Sequence, residues 1–422
     1  MELKYACKKD KEEFFKIFQY NMKLLCGDNQ AKKNAVGKEI LEALKKVEIV
    51  PNGANETLDK ERLEGNTIIT GAGNSEIYMK GFKSTPEFMY NERKHTFSHE
   101  LWHAIYAKMN RSKDGVNSEG KRILWVGKSN EPFYFGAGAA IAERDTGKRY
   151  GKLFEETMMD IKASISLAEF DSEYQMKKPG VNTDVILSEH IDKWSNNDQS
   201  GYSALSSITR LMIAAFANEP DLNYHSCIQN GAPIDDLKVK KSNGTIMYAN
   251  DFLYGMMYDP IFIMEEYDKY MGDEAYINLL KTTDSIYEQE TSLNEKMDPK
   301  LVKQVMSEIP KFANLRTTDL KRKGVFTDSD INKLSSKFNR IWNSMQNEYK
   351  AYFSQEEKYF FRPCSRARAG PEKRAQRSRI FPSIEIVTTC HGRNFPLARS
   401  ASRAACSSPP QHGTSMRTMV TL

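Results

Sequence analysis

The residues best suited to chemistry lie in one stretch, HTFSHELWHAIYAKMN (95–110), where His99 and His103 stand four apart and Glu100 follows the first. On a helix, positions i and i+4 share a face, so the two imidazoles can grip one ion from two corners of a tetrahedron. Glu100 lies off that stripe. It can reach a water on the ion without being a ligand, which is the position of a general base. Chance places His-Glu-x-x-His in a chain of this composition about once in a hundred. His95, His99 and His103 are three of only five histidines before residue 362. The spacing is therefore a signal, and the element that must carry it is a helix over about 92–109. Its apolar stripe, Phe97, Leu101, Ala104 and Ile105, falls roughly opposite the histidines.

Zinc needs a third protein ligand and an open position. The HExxHxxGxxH extension is missing, because Tyr106 and Asn110 hold the downstream positions. The best source of a ligand is KLFEETMMDIKASISLAEF (152–170). There Phe154, Met158, Ile161, Ile165 and Ala168 form an apolar stripe, Glu156 and Asp160 lie together on the other face, and Glu155 points to the side.

HELWH followed by a helix carrying Glu-x-x-x-Asp resembles the gluzincin metallopeptidases. Where that family reads Asn-Glu-Ala-x-Ser-Asp, this chain reads Glu155-Glu156-Thr157-Met158-Met159-Asp160. The resemblance spans roughly residues 66–170. It implies one zinc ion held by His99, His103 and Glu156, with Asp160 hydrogen-bonded to a ligating histidine to fix its tautomer. It also implies a zincin-like α+β fold, with a small mixed sheet and the active-site helix in the N-terminal half and a mostly helical C-terminal half. The implied activity is hydrolysis of a protein or peptide substrate by a metal-activated water, with Glu100 as general base. An oxyanion donor is also required; Tyr202 is the first candidate, His190 the second, and Tyr224 and His225 are further alternatives. The family's edge strand pairs with the substrate backbone, and 76–82 is the expected counterpart. The chain departs from the family at Glu155, at Met159, and in a longer segment of about fifty residues between the two helices.

Around these elements the periodicity predicts helices over 10–27, 31–46, 203–217, 250–271, 273–291, 298–309, 328–351 and 182–196. It predicts two strands about a turn in 66–82, a strand at 121–127, and a long loop at 131–151. The expected organisation is an α/β part over 1–150, a helical part over 151–361 and a tail over 362–422. The six cysteines are scattered with no CxxC pair, so histidine and carboxylate must hold any metal. No apolar run approaches a membrane span and the start has no signal core, which makes a cytoplasmic location the default; export without a cleaved signal leaves no such mark.

The net charge of +5 is misleading. Residues 1–361 carry 50 Lys and Arg against 54 Asp and Glu, a net of −4, while residues 362–422 carry 11 against 2, a net of +9. The mildly acidic body gives no electrostatic reason to bind nucleic acid. The tail switches from Lys to Arg abruptly and loses periodicity, which reads as disorder and as a frameshift, fusion or read-through rather than a nucleic-acid arm. Two rivals to a peptidase follow: a non-catalytic zincin-fold binding or regulatory protein, and a nucleic-acid binder using the tail. Truncation after residue 361 is expected to leave the melting temperature and metal content nearly unchanged; a large loss of either shows that the tail packs on the body.

Overall fold

A computed structural model describes residues 2–4, 8–51, 65–70, 74–81, 93–110, 123–125, 132–135, 141–143, 149–172, 203–291 and 298–348. The expected helix at 182–196, with His190 in it, Tyr202 and the tail beyond 361 lie outside these residues. A short β1 (Glu2–Lys4) is followed by α1 (Lys8–Cys26), α2 (Gln30–Ala43) and β2 (Leu44–Pro51). The hairpin of β3 (Gly65–Thr70) and β4 (Asn74–Gly81) then leads to α3 (Lys94–Met109). The sheet runs in the order β1-β2-β4-β3, with β3 antiparallel and the other pairs parallel. Period-2 alternation gives it two faces. Val47, Ile49, Ile77 and Met79 are buried, while Lys46, Glu48, Glu76 and Tyr78 alternate with them on the other face. There Lys46 lies 2.8 Å from Glu48 and 3.8 Å from Glu76.

Two expectations change here. The helix over 31–46 stops at Ala43, because from Leu44 the chain adopts the alternation of a strand, with a bulge between Leu44 and Lys46. The segment 76–82 is not the edge: β4 lies between β2 and β3, and β3 is the edge strand beside α3. The parallel pairing of β2 with β4 covers the side that a simple hairpin leaves open.

Between α3 and α4 (Lys152–Phe170) the strand expected at 121–127 appears as β5 (Ile123–Trp125). The expected loop at 131–151 instead holds β6 (Pro132–Phe135), β7 (Ile141–Glu143) and β8 (Arg149–Tyr150), all antiparallel in chain order. Strands this short carry too few residues to show alternation.

The C-terminal half comprises α5 (Ser203–Ala215), α6 (Tyr224–Gln229), a hairpin of β9 (Lys238–Lys240) and β10 (Ile246–Tyr248), α7 (Asp251–Tyr258), α8 (Pro260–Met271), α9 (Ala275–Thr291), α10 (Pro299–Arg322) and α11 (Asp328–Glu348). The single helix expected over 250–271 breaks at Asp259, because Pro260 has no N–H to continue the ladder and suits the first turn of a new helix. The helix expected to end at 309 continues through Pro310. The buried stripe Ile309, Phe312, Ala313 and Leu320 outweighs the lost hydrogen bond. At the coarse level the chain is thus mixed α and β, with a small sheet and, among the described residues, a majority of helix. Among the described residues no helix is long and apolar enough to cross a membrane.

One apolar core extends from Phe14 to Met345. In it α1 packs on α3 through Phe14 and Phe97, whose rings are 5.3 Å apart. Ser98 donates to Asn21 at 3.1 Å, and Lys94 bridges Asp171 at 2.8 Å and Glu13 at 3.2 Å. A second tie is fully buried: Lys162 of α4 pairs with Asp235, and the neighbouring Asp236 meets Lys32 of α2 at 2.6 Å. Burial pulls the Lys162 amine down and pushes the Asp235 carboxyl up, so desolvation outweighs mutual attraction on both partners. Such a pair is costly to break from one side. Asp235→Ala is expected to cost about 3–5 kcal/mol, and pairing it with Lys162→Met to recover most of that loss, as measured by urea unfolding. Equal losses in the single and double variants contradict this.

Candidate metal centre

α3 and α4 cross antiparallel, and their contacts run down one helix as they run up the other. His95 Nε2 lies 3.4 Å from Asp160 Oδ1, His99 Nε2 lies 3.4 Å from Glu156 Oε2, and His103 Nδ1 lies 3.4 Å from Glu155 Oε1. Asp160 and Glu156 stand one turn apart on α4, matching His95 and His99, while Glu155 adjoins Glu156 and meets His103.

At the centre, His99 Nε2, His103 Nε2 and Glu156 Oε2 form a triangle. Its sides are 3.1 Å between the two nitrogens, and 3.4 Å and 3.7 Å from them to the oxygen. Four ligands set tetrahedrally at zinc bond lengths stand roughly 3.3 Å apart, so the three donors are spaced as such an ion requires. These are the three residues that the family resemblance implied for a metal, and among the described residues their donor atoms lie within 4.8 Å of one another, as a group that could hold an ion. Two imidazoles and one carboxylate suit zinc and neighbouring transition ions, and disfavour calcium or magnesium, which take oxygen.

The electrostatics favour a cation at this point. Burial opposes charge on both His103 and Glu156, but their attraction is greater. It holds His103 well above the ordinary imidazole range, aided by Glu155, and Glu156 well below the carboxylate range, aided by His99. A metal ion bound there would compete with a proton for His103, so its uptake would release protons.

The outer contacts differ from expectation in two ways. Asp160 is nearer to His95 than to a ligating histidine: its Oδ1 stands 3.9 Å from His99 Nδ1, and His95 also meets Ser164 Oγ at 3.2 Å. Glu155 does not point aside. It is buried and faces His103 Nδ1, leaving Nε2 directed at the centre. The sequence signal was available, since Glu155 occupies the position where the resembling family has Asn, whose side chain can also accept an N–H.

Glu100 is buried next to the ligands, on the side of α3 that meets β3. Thr67 Oγ1 lies 2.7 Å from its Oε2 and 2.9 Å from its backbone oxygen. Of the proposed oxyanion donors, His225 is placed elsewhere. It pairs with Glu169 at 2.7 Å, 13 residues beyond Glu156 and about 20 Å along the helix axis. Tyr224 is buried beneath Lys337, and its hydroxyl accepts from the Asn250 amide at 3.5 Å.

Two distant contacts fix α4. Thr157 and Thr209 of α5 share a hydrogen bond of 2.6 Å beside Glu156. At the start of α4, Gly151 takes a left-handed conformation (φ 100°) and brings no capping side chain. Asp284 of α9 supplies the cap, accepting from the amides of Gly151 at 2.8 Å and Leu153 at 3.0 Å.

The chain matches no known protein family, no curated protein and no solved structure.

The Asp284 cap gives a pH signature. Burial pushes its carboxyl from 3.8 up to about 6, against the backbone donors of Leu153, Lys152 and Gly151, which lower it. The folded chain therefore binds a proton more tightly than the unfolded chain between those values. The contribution of this group is fully present below the unfolded value and is lost as pH rises towards 6. A shift of that size corresponds to about 3 kcal/mol. Wild type should lose about 2 kcal/mol of stability relative to Asp284→Asn between pH 4 and 6, and the rest of the about 3 kcal/mol as pH rises through the folded value, read by urea unfolding across the range. Asp268, also raised to about 6 by burial, is common to both proteins and cancels. Parallel pH curves for the two proteins contradict the assignment.

Proposed function

We propose that this chain is a zinc-dependent peptidase of zincin-like fold, in which His99, His103 and Glu156 hold one metal ion and Glu100 serves as general base. The observation that carries this reading is the triangle of three inward-facing donor atoms, with a fourth group, the Glu100 carboxylate, one residue along the helix and outside the triangle. A purely structural zinc site has no use for that fourth group. A non-catalytic protein retaining the fold has no need to keep it oriented, yet Thr67 holds it.

A zinc ion at this place supplies a Lewis acid that polarises a scissile carbonyl and lowers the pKa of water. The chain's own residues do the rest. Glu100 accepts the proton that a water loses as it adds to the peptide carbon, and returns it to the departing amine nitrogen, so the carboxylate ends as it began. Glu155 orients His103 through its Nδ1, and Asp160 lies nearer to His95, with His99 Nδ1 3.9 Å away. Among the described residues β3 is the edge strand beside α3, which suits an extended peptide added as a further strand. Substrates are thus expected to be proteins or peptides bound in extended form.

The test joins metal analysis with a peptide-library digest. Wild type should bind one zinc per chain and lose hydrolysis with a chelator, and His103→Ala should lose most of the metal. Glu100→Gln should keep the metal and lose hydrolysis by at least about a hundredfold. Asp160→Asn should weaken zinc binding by about 10–100-fold. A wild-type protein that takes up no metal, or a Glu100→Gln variant with full activity on a cleaved peptide, overturns the reading. Metal uptake without cleavage of any peptide favours the binding protein.

A further inference from the structure

We infer that two residues of the edge strand, Thr67 and Gly65, are positioning residues for Glu100, and that β3 sets the orientation of the general base from outside its helix. The inference rests on the reading of Glu100 as proton acceptor and adds to it what holds that acceptor in place.

Gly65 and Thr67 are two apart on β3, so they share the sheet face that meets α3. Each addresses one oxygen of the same carboxylate. Thr67 Oγ1 stands 2.7 Å from Glu100 Oε2. Its single proton has a second acceptor in reach, the Glu100 backbone oxygen at 2.9 Å. The carboxylate is the stronger acceptor because it is charged, whereas the carbonyl belongs to the helical ladder. On the other side, a Cβ built at Gly65 would lie 2.8 Å from Glu100 Cγ and 2.9 Å from Oε1, with Met79 Sδ at 3.1 Å. A side chain at residue 65 would force Glu100 or Met79 to shift. One oxygen is held by a donor, and the other lies in space that the glycine leaves open.

That arrangement suits a base. A buried carboxylate on a flexible stem has several rotamers, and reaction requires one of them. A hydrogen bond from a neutral hydroxyl fixes the group without neutralising it, and leaves lone pairs for the proton it must take. Thr67 is itself held by the ladder of β3 with β4, where it faces Ile77, so the constraint on Glu100 passes to the sheet.

The test uses Thr67→Val, which keeps the shape and removes the hydroxyl, Thr67→Ser, which keeps the hydroxyl, and Gly65→Ala. Thr67→Val and Gly65→Ala should each lower kcat by about ten- to a hundredfold, with KM and zinc content within about twofold of wild type. Thr67→Ser should recover most of the rate, which a merely structural loss does not predict. A second readout needs no activity. In the metal-free protein, Thr67→Val should lower the melting temperature, and at least half of that shift should vanish in a Glu100→Ala background, where no carboxylate awaits the hydroxyl. Additive melting shifts overturn the inference whatever the enzyme does. So does wild-type kcat in Thr67→Val when Glu100→Gln is inactive, or a serine variant no better than valine. If Glu100→Gln is instead fully active, the peptidase reading fails, and the melting cycle still decides whether Thr67 holds Glu100.

Discussion

The crossing of α3 over α4 sets the imidazoles of His95, His99 and His103 against the carboxylates of Asp160, Glu156 and Glu155. Glu100, Glu155 and Asp160 are buried there, and Glu156 is nearly so. Burial opposes charge on these groups, and the attraction between His103 and Glu156 outweighs it on both partners. That attraction depends on the two helices keeping one alignment, and the rest of the molecule holds them in it.

The clamps are drawn from distant parts of the chain. Lys94 and Lys16 bring positive charge to Asp171 at the end of α4, Asp284 caps the start, and Lys162 ties its middle to Asp235. Thr157 and Thr209 join the helix to α5 beside Glu156. None of these groups belongs to the triangle of donors. Their combined effect is to leave α4 little freedom to slide or turn, and imidazole and carboxylate donors bind tightly only when their positions are fixed before the ion arrives.

The parts legible in the sequence were the local ones. Helical spacing located α1, α3 and α4, and the four-residue interval placed His99 and His103 on one face. The family resemblance, rather than the spacing, singled out Glu156, and the structure sets that residue beside both histidines. What the sequence hid was mostly non-local. Strand order depends on which distant strand pairs with β4, so 76–82 was taken for an edge when β3 has that place. The cap on α4 comes from a residue 133 positions later. Tyr224 and His225 had suitable chemistry, and only tertiary packing shows that His225 is paired at the far end of α4. Glu155 was misjudged for a different reason: its helical phase puts it at the margin of the site, and whether a marginal side chain turns inward depends on what lies opposite, here His103.

The polar face of the sheet has a consequence for the site it does not touch. Lys46 is held between Glu48 and Glu76, and its ammonium lies 4.3 Å from the centre of the Tyr78 ring. The Lys46–Glu48 pair lies within β2, but the contacts to Glu76 and Tyr78 cross to β4 and form only when the two strands are in one register, with Lys46 opposite Glu76 and Glu48 opposite Tyr78. A slip of one residue turns every side chain to the other face, and along the hairpin it would turn Thr67 away from Glu100. The surface charges thus work as the bitting of a key: cut on the outer face, they select the one alignment in which the inner face meets the helix. Sequence change on that outer face, where solvent would seem to make it neutral, is constrained by chemistry on the opposite side of the sheet.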